Sequence, residues 1–125
     1  MIIYHITSRK AWIDATRDRA YAAPSLQAEG FIHCSTAAQV LPVARDFFAG
    51  QTGLVLLVID SRKLGFEVKW ESAAPPDGVA DGVTFPHIYG PIALDAVVQV
   101  LDLEPDARGE FALPPLPSEN GLAAA

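Results

Sequence analysis

The sequence is poor in the residues that usually announce a function. It has a single cysteine and only three histidines in 125 residues. A lone thiol excludes an intramolecular disulfide. No apolar run reaches the roughly 18 residues that a membrane helix needs, and the N-terminus has no cationic-then-apolar leader, so a soluble cytoplasmic protein without membrane contact is expected. Positive charge is scarce as well. Nine Lys and Arg stand against fifteen Asp and Glu, a formal charge of −6 that removes any general attraction to nucleic acid. There is no Gly-rich phosphate loop, dinucleotide fingerprint or hydrolase elbow, and no Cys-x-x-Cys or His-x-x-x-His pair. His33 and Cys34 are adjacent, and neighbours on a strand point to opposite faces, so no metal site is expected.

What is present is the making of one packed domain, with 50% hydrophobic and 19% charged residues. The β-branched and aromatic run 2–6 predicts a first strand with His5 near its end, and Thr7 or Ser8 can cap a short helix after it. Tyr21 to Pro24 reads as extended, and Ser25 to Gly30 as a helical turn stopped by glycine. Phe31 to Cys34 then reads as a strand. Val40, Leu41, Val43, Ala44, Phe47 and Phe48 recur at helical spacing, with Pro42 as the awkward member.

The continuous run Leu54 to Ile59 predicts the centre of a sheet, and Phe66 to Glu71 a strand with one wet face. Residues 72–82 read as a surface loop, and the apolar run 96–101 as a late strand, central or nearly so. The pattern predicts a single α+β domain over 1–104, with a mixed, mainly antiparallel sheet and a few short helices. Residues 105–125 form a proline-rich, partly disordered tail in this reading.

His5, His33 and His87 each fall at or beside a strand end, and a fold that joins those ends makes a histidine-lined cleft. Cys34 is a packing residue in this reading. Ser35 and Thr36 are a helix cap beside which a phosphate could sit. Tyr4, Trp12, Tyr21 and Tyr89 are candidates to stack on a planar ligand, Arg9 to meet a phosphate, and Glu71 to polarise a ribose hydroxyl.

YHIT (4–7), SLQAEGFIHCST (25–36) and FPHIYGP (85–91), with LVLLVID (54–60) between them, resemble a small bacterial family known as domain of unknown function 952, over about residues 2–103. That family is similar to a compact ADP-ribosyltransferase-like fold, nearest the RNA 2′-phosphotransferases. In those enzymes one histidine ends the first strand, and a second precedes a small-hydroxyl pair at a helix start; His5 with Thr7 and His33 with Ser35 and Thr36 match those places. The resemblance implies that His5 contacts the nicotinamide ribose of NAD, a substrate here, and that His33 helps to hold the ribose or nicotinamide. It also puts Glu71, or the segment around His87, where many of the wider group carry a glutamate, and Tyr21 and Tyr89 beside the nicotinamide. The competing expectations are a non-catalytic module for a small anionic metabolite, built on the Ser35 and Thr36 helix start with one or more of the histidines, and an interaction domain that uses the FPHIYGP loop.

Overall fold

A computed structural model describes residues 1–72 and 83–117. At its centre lies β4 (Leu54–Asp60), buried at every position and paired antiparallel with β1 (Ile2–Ser8) on one side and β8 (Val97–Leu103) on the other. The apolar run is continuous because both faces of this sheet are covered. Strand alternation sends Ile3, Val55, Leu57 and Ile59 into one core, and Ile2, Tyr4, Ile6, Leu54, Leu56 and Val58 into another. The late strand β8 proves to be an edge, not a central member. Of its residues only Leu103 is buried, and Gln99 and Asp102 face solvent.

The first core is closed by α1 (Arg9–Asp18), by β2 (Ala20–Tyr21) paired with β7 (Ile92–Ala93), and by a second three-stranded sheet. In that sheet β6 (Phe85–Ile88) pairs antiparallel with both β3 (Ile32–His33) and β5 (Val68–Glu71). The expected single mixed sheet is therefore three separate sheets, antiparallel throughout. The cause is local. β3 has only two residues before the chain turns into α3 (Ala37–Phe47), so its link to β1 is the isolated Tyr4–Ser35 bridge, with backbone bonds of 2.7 and 2.8 Å. Phe66 and Glu67, expected to begin a strand, precede it instead.

Ser8 caps α1 by accepting from the Ala11 amide, and α2 (Pro24–Glu29) opens on proline and stops at Gly30, whose φ of 92° suits glycine. Val40 and Ala44 of α3 lie in the second core, joined there by Phe111 and Leu116. Part of the segment expected as a tail thus packs on the domain, while 118–125 lies outside the described residues. So does the expected loop 72–82, from residue 73 onward. Pro42 sits inside α3 on its exposed side, and the helix continues through it because the opposite face is buried.

Gln39 ties the start of α3 to β6. Its side-chain oxygen accepts from the Thr36 amide at 2.9 Å, and its nitrogen donates to the Thr84 carbonyl at 2.8 Å. Gln39→Ala is expected to lower stability by about 1–2 kcal/mol, since both backbone groups lose a partner. A urea titration with an unchanged midpoint would show that water replaces those bonds without loss.

Candidate histidine cleft

Cross-strand register gathers the side chains of the site. His33 of β3 stands directly opposite His87 of β6, and His87 stands opposite Lys69 of β5. Directly paired residues share a face, so His33, His87 and Lys69 lie together, with Phe31, Tyr89 and Glu71 two positions along. Ile32 and Ile88 take the other face and enter the first core. The rings confirm the alternation: Phe31 stacks on His87 at 4.2 Å, and the His33 and His87 rings meet edge to face at 5.2 Å.

Each imidazole is held by a different partner. Glu29 ends α2, Gly30 reverses the chain, and the Glu29 carboxylate reaches His33 Nε2 at 2.9 Å. His87 Nδ1 lies 3.0 Å from Glu71 Oε1, which also accepts the Tyr89 hydroxyl at 2.5 Å. These two bonds hold the Glu71 carboxyl below its ordinary range, the Tyr89 bond most, and the same contact raises Tyr89. Lys69 Nζ sits 4.7 Å over the Tyr89 ring. A carboxylate at one ring nitrogen keeps a proton there, so a neutral His33 offers Nδ1, and a neutral His87 offers Nε2, as a hydrogen-bond acceptor.

His5 is wired differently. Its Nδ1 is 2.6 Å from the His33 carbonyl and its Nε2 is 2.8 Å from the Tyr21 hydroxyl, which lies 2.9 Å from Thr7 Oγ1. A carbonyl only accepts, so Nδ1 carries the proton and the lone pair of Nε2 faces the phenol. Burial drives the His5 pKa down to about 4, against the opposing pull of the His33 carbonyl. His5 is therefore a neutral ring at pH 7, with both nitrogens engaged inside the protein. Burial likewise raises Tyr21.

The three histidines border one cleft of about 360 Å³, between the β1 edge, β3, β6 and the end of α3. Its wall also includes Ser35, Glu29, Val43, Phe47, Phe48 and Phe85. Cys34 is part of the wall as well, although it belongs to the first core, and burial keeps its thiol protonated. Among the described residues no three His, Cys, Asp or Glu side chains cluster as a metal site, and no helix is long and apolar enough to cross a membrane.

The remaining candidates stand apart from the wall. Tyr21 and Thr7 lie behind His5, and Glu71 and Tyr89 lie behind His87; they hold histidines and do not flank the cavity. Thr36 is the N-cap of α3. Arg9 pairs with Asp102 of β8 and is not in the wall, so it offers no phosphate contact there. Tyr4 and Trp12 pack in or against the cores.

The model of the family described as "Protein of unknown function (DUF952)" matches residues 6–100. The chain belongs to that family. Its fold is similar to the crystal structure of protein CC0527 from Caulobacter crescentus, at 35% identity and a TM-score of 0.77, over 90% of this chain and 95% of that one. The solution NMR structure of CC0527 is 36% identical with a TM-score of 0.71, over 86% and 89% of the two chains. No curated protein matches the sequence.

In this DUF952 domain the residues that sequence reasoning missed as walls of the cleft include Glu29, Phe47, Phe48 and Phe85. A signal for Glu29 was available: it lies four positions before His33, across a glycine that stops a helix. Phe47 also carried one. The apolar stripe of α3 is wider than its short contact with the sheet can cover, and Phe47 is left 51% exposed at the DUF952 cleft.

Proposed function

We propose that the cleft binds the nicotinamide ribose end of NAD, and that the protein is a transferase acting at the anomeric carbon of that ribose. The observation that carries this reading is the convergence of His5, His33 and His87 on one cavity of about 360 Å³, within the size range of small-molecule sites. His33 Nδ1 and His87 Nε2 suit the two hydroxyl donors of a ribose, and the Phe47, Phe48 and Phe85 rings suit a flat heterocycle. His5 acts through position: its bond to the His33 carbonyl fixes β3 against β1. The likeness of YHIT and FIHCST to the ADP-ribosyltransferase-like fold supports the same assignment.

In the reaction, the bond from the anomeric carbon to the nicotinamide nitrogen breaks, and its electron pair leaves with nicotinamide. The acceptor oxygen forms the new bond to that carbon, and its proton passes to the lone pair of His33 or His87. Among the described residues no lysine or arginine lines the cavity, so the pyrophosphate lies outside it. For the same reason a purely anionic metabolite gains no counter-charge in the wall.

Calorimetry with NAD, ADP-ribose and nicotinamide tests the reading. NAD is expected to bind with a submillimolar Kd, and His33→Ala to weaken it about tenfold, the size of one hydrogen bond to a ribose hydroxyl. An absence of binding by all three at millimolar concentration would overturn the proposal. Binding without nicotinamide release would make the protein a non-catalytic module.

A further inference from the structure

The chemistry of the cavity wall is lopsided. Among the described residues it contains one carboxylate, on Glu29, three phenylalanine rings, and neither lysine nor arginine. We infer that the cleft selects a flat ring bearing positive charge over the same ring without it, with Glu29 as the specificity-determining residue. Three features favour a cation. The faces of Phe47, Phe48 and Phe85 carry the negative part of the ring quadrupole, which attracts a cation and is indifferent to a neutral heterocycle. The Glu29 carboxylate, in the wall and 2.9 Å from His33 Nε2, supplies the counter-charge. Among the described residues no lysine or arginine in the wall opposes the ligand's charge.

The other charged groups near the site are committed elsewhere. Lys69 lies over the Tyr89 ring, and the Glu71 carboxylate accepts from both His87 and Tyr89. Glu29 bonds to the half-exposed His33 imidazole, and both side chains are 50% exposed, so the carboxylate is available at the cleft. A ring that covers Phe47 also removes apolar surface from water. The ligand class that meets these demands is an N-substituted pyridinium. The inference rests on the nicotinamide reading for the identity of the ring and adds to it a preference for charge: the oxidised, cationic ring is bound more tightly than the neutral one.

Nicotinamide and 1-methylnicotinamide test the preference directly, because they share the ring and differ in the charge on its nitrogen, and neither carries ribose or phosphate. Titrations followed by calorimetry or ligand NMR are made at one fixed, mildly alkaline pH. The cation is expected to bind about tenfold tighter than neutral nicotinamide, the scale of one partly desolvated cation–π or counter-charge contact. Glu29→Gln, which retains a hydrogen-bonding partner for His33, is expected to shrink that ratio to below about threefold. Equal affinity for the two rings, a ratio unmoved by Glu29→Gln, or no binding of either ring overturns the inference. Its fate separates from that of the transferase. A Glu29-dependent preference for 1-methylnicotinamide without any binding of NAD sustains the cation site and removes the transferase; binding of NAD with no preference between the rings does the reverse.

Discussion

Leu57→Ala is expected to lower the free energy of unfolding by about 4 kcal/mol, in the upper part of the range for a buried leucine whose neighbours cannot close the gap. Leu57 is fully buried and central in two directions. Along the sheet it pairs with His5 on one side and Val100 on the other. Across the sheet it belongs to the core that includes Ile3, Ile32, Ile59, Ile88 and Ile92. Collapse into the vacated space would have to pull the small sheet inward, and that sheet is fixed to β1 through the Tyr4–Ser35 bridge and the His5–His33 bond. Urea denaturation should report a lower midpoint at an unchanged slope. A loss below about 1 kcal/mol would mean that the two layers are not packed as tightly as their burial implies.

Acidification provides the second large effect. The His5 pKa in the folded protein, about 4, lies below its ordinary value of 6.5. Above pH 6.5 neither the folded nor the unfolded chain protonates this ring. As pH falls through 6.5 the unfolded chain takes up a proton that the folded chain refuses, so stability declines with falling pH and levels off below about 4. The gap between the two values corresponds to about 3 kcal/mol lost across that window. His5→Asn removes the titrating group and should flatten this part of the profile, although it lowers stability at pH 7 by leaving the Tyr21 hydroxyl without its ring partner. Parallel wild-type and variant slopes between pH 6.5 and 4 would assign the decline to other groups.

Where local pattern decided the outcome, the sequence was readable. The β-branched run at 2–6, the unbroken apolar run at 54–59 and the stripe from Val40 to Phe48 became β1, β4 and α3, and Gly30 ended α2. Alternation also put His33 on the cleft side of β3. Long-range geometry was not readable in the same way. The apolar residues of β8 suggested a central position, and they do pack on the cores on both sides of the sheet, yet the strand pairs only with β4; its hydrophobicity does not say that it takes an edge. Tyr21 and Tyr89 were recognised as residues near the site, but their hydroxyls serve His5 and Glu71, a role set by neighbours sixteen and eighteen positions away. Arg9 found Asp102 at the far end of the chain for the same reason.

The walls of the cleft come from β1, the end of α2, β3, α3 and β6, so the site is complete only when the start of the chain and β6 are both docked on the segment between them. A partly folded chain, with the small sheet undocked from β1, has no cavity to fill. Occupancy of the cleft is consequently linked to global unfolding: a ligand at one hundred times its Kd would raise the stability of the entire domain by about 2.7 kcal/mol, including strands it never touches.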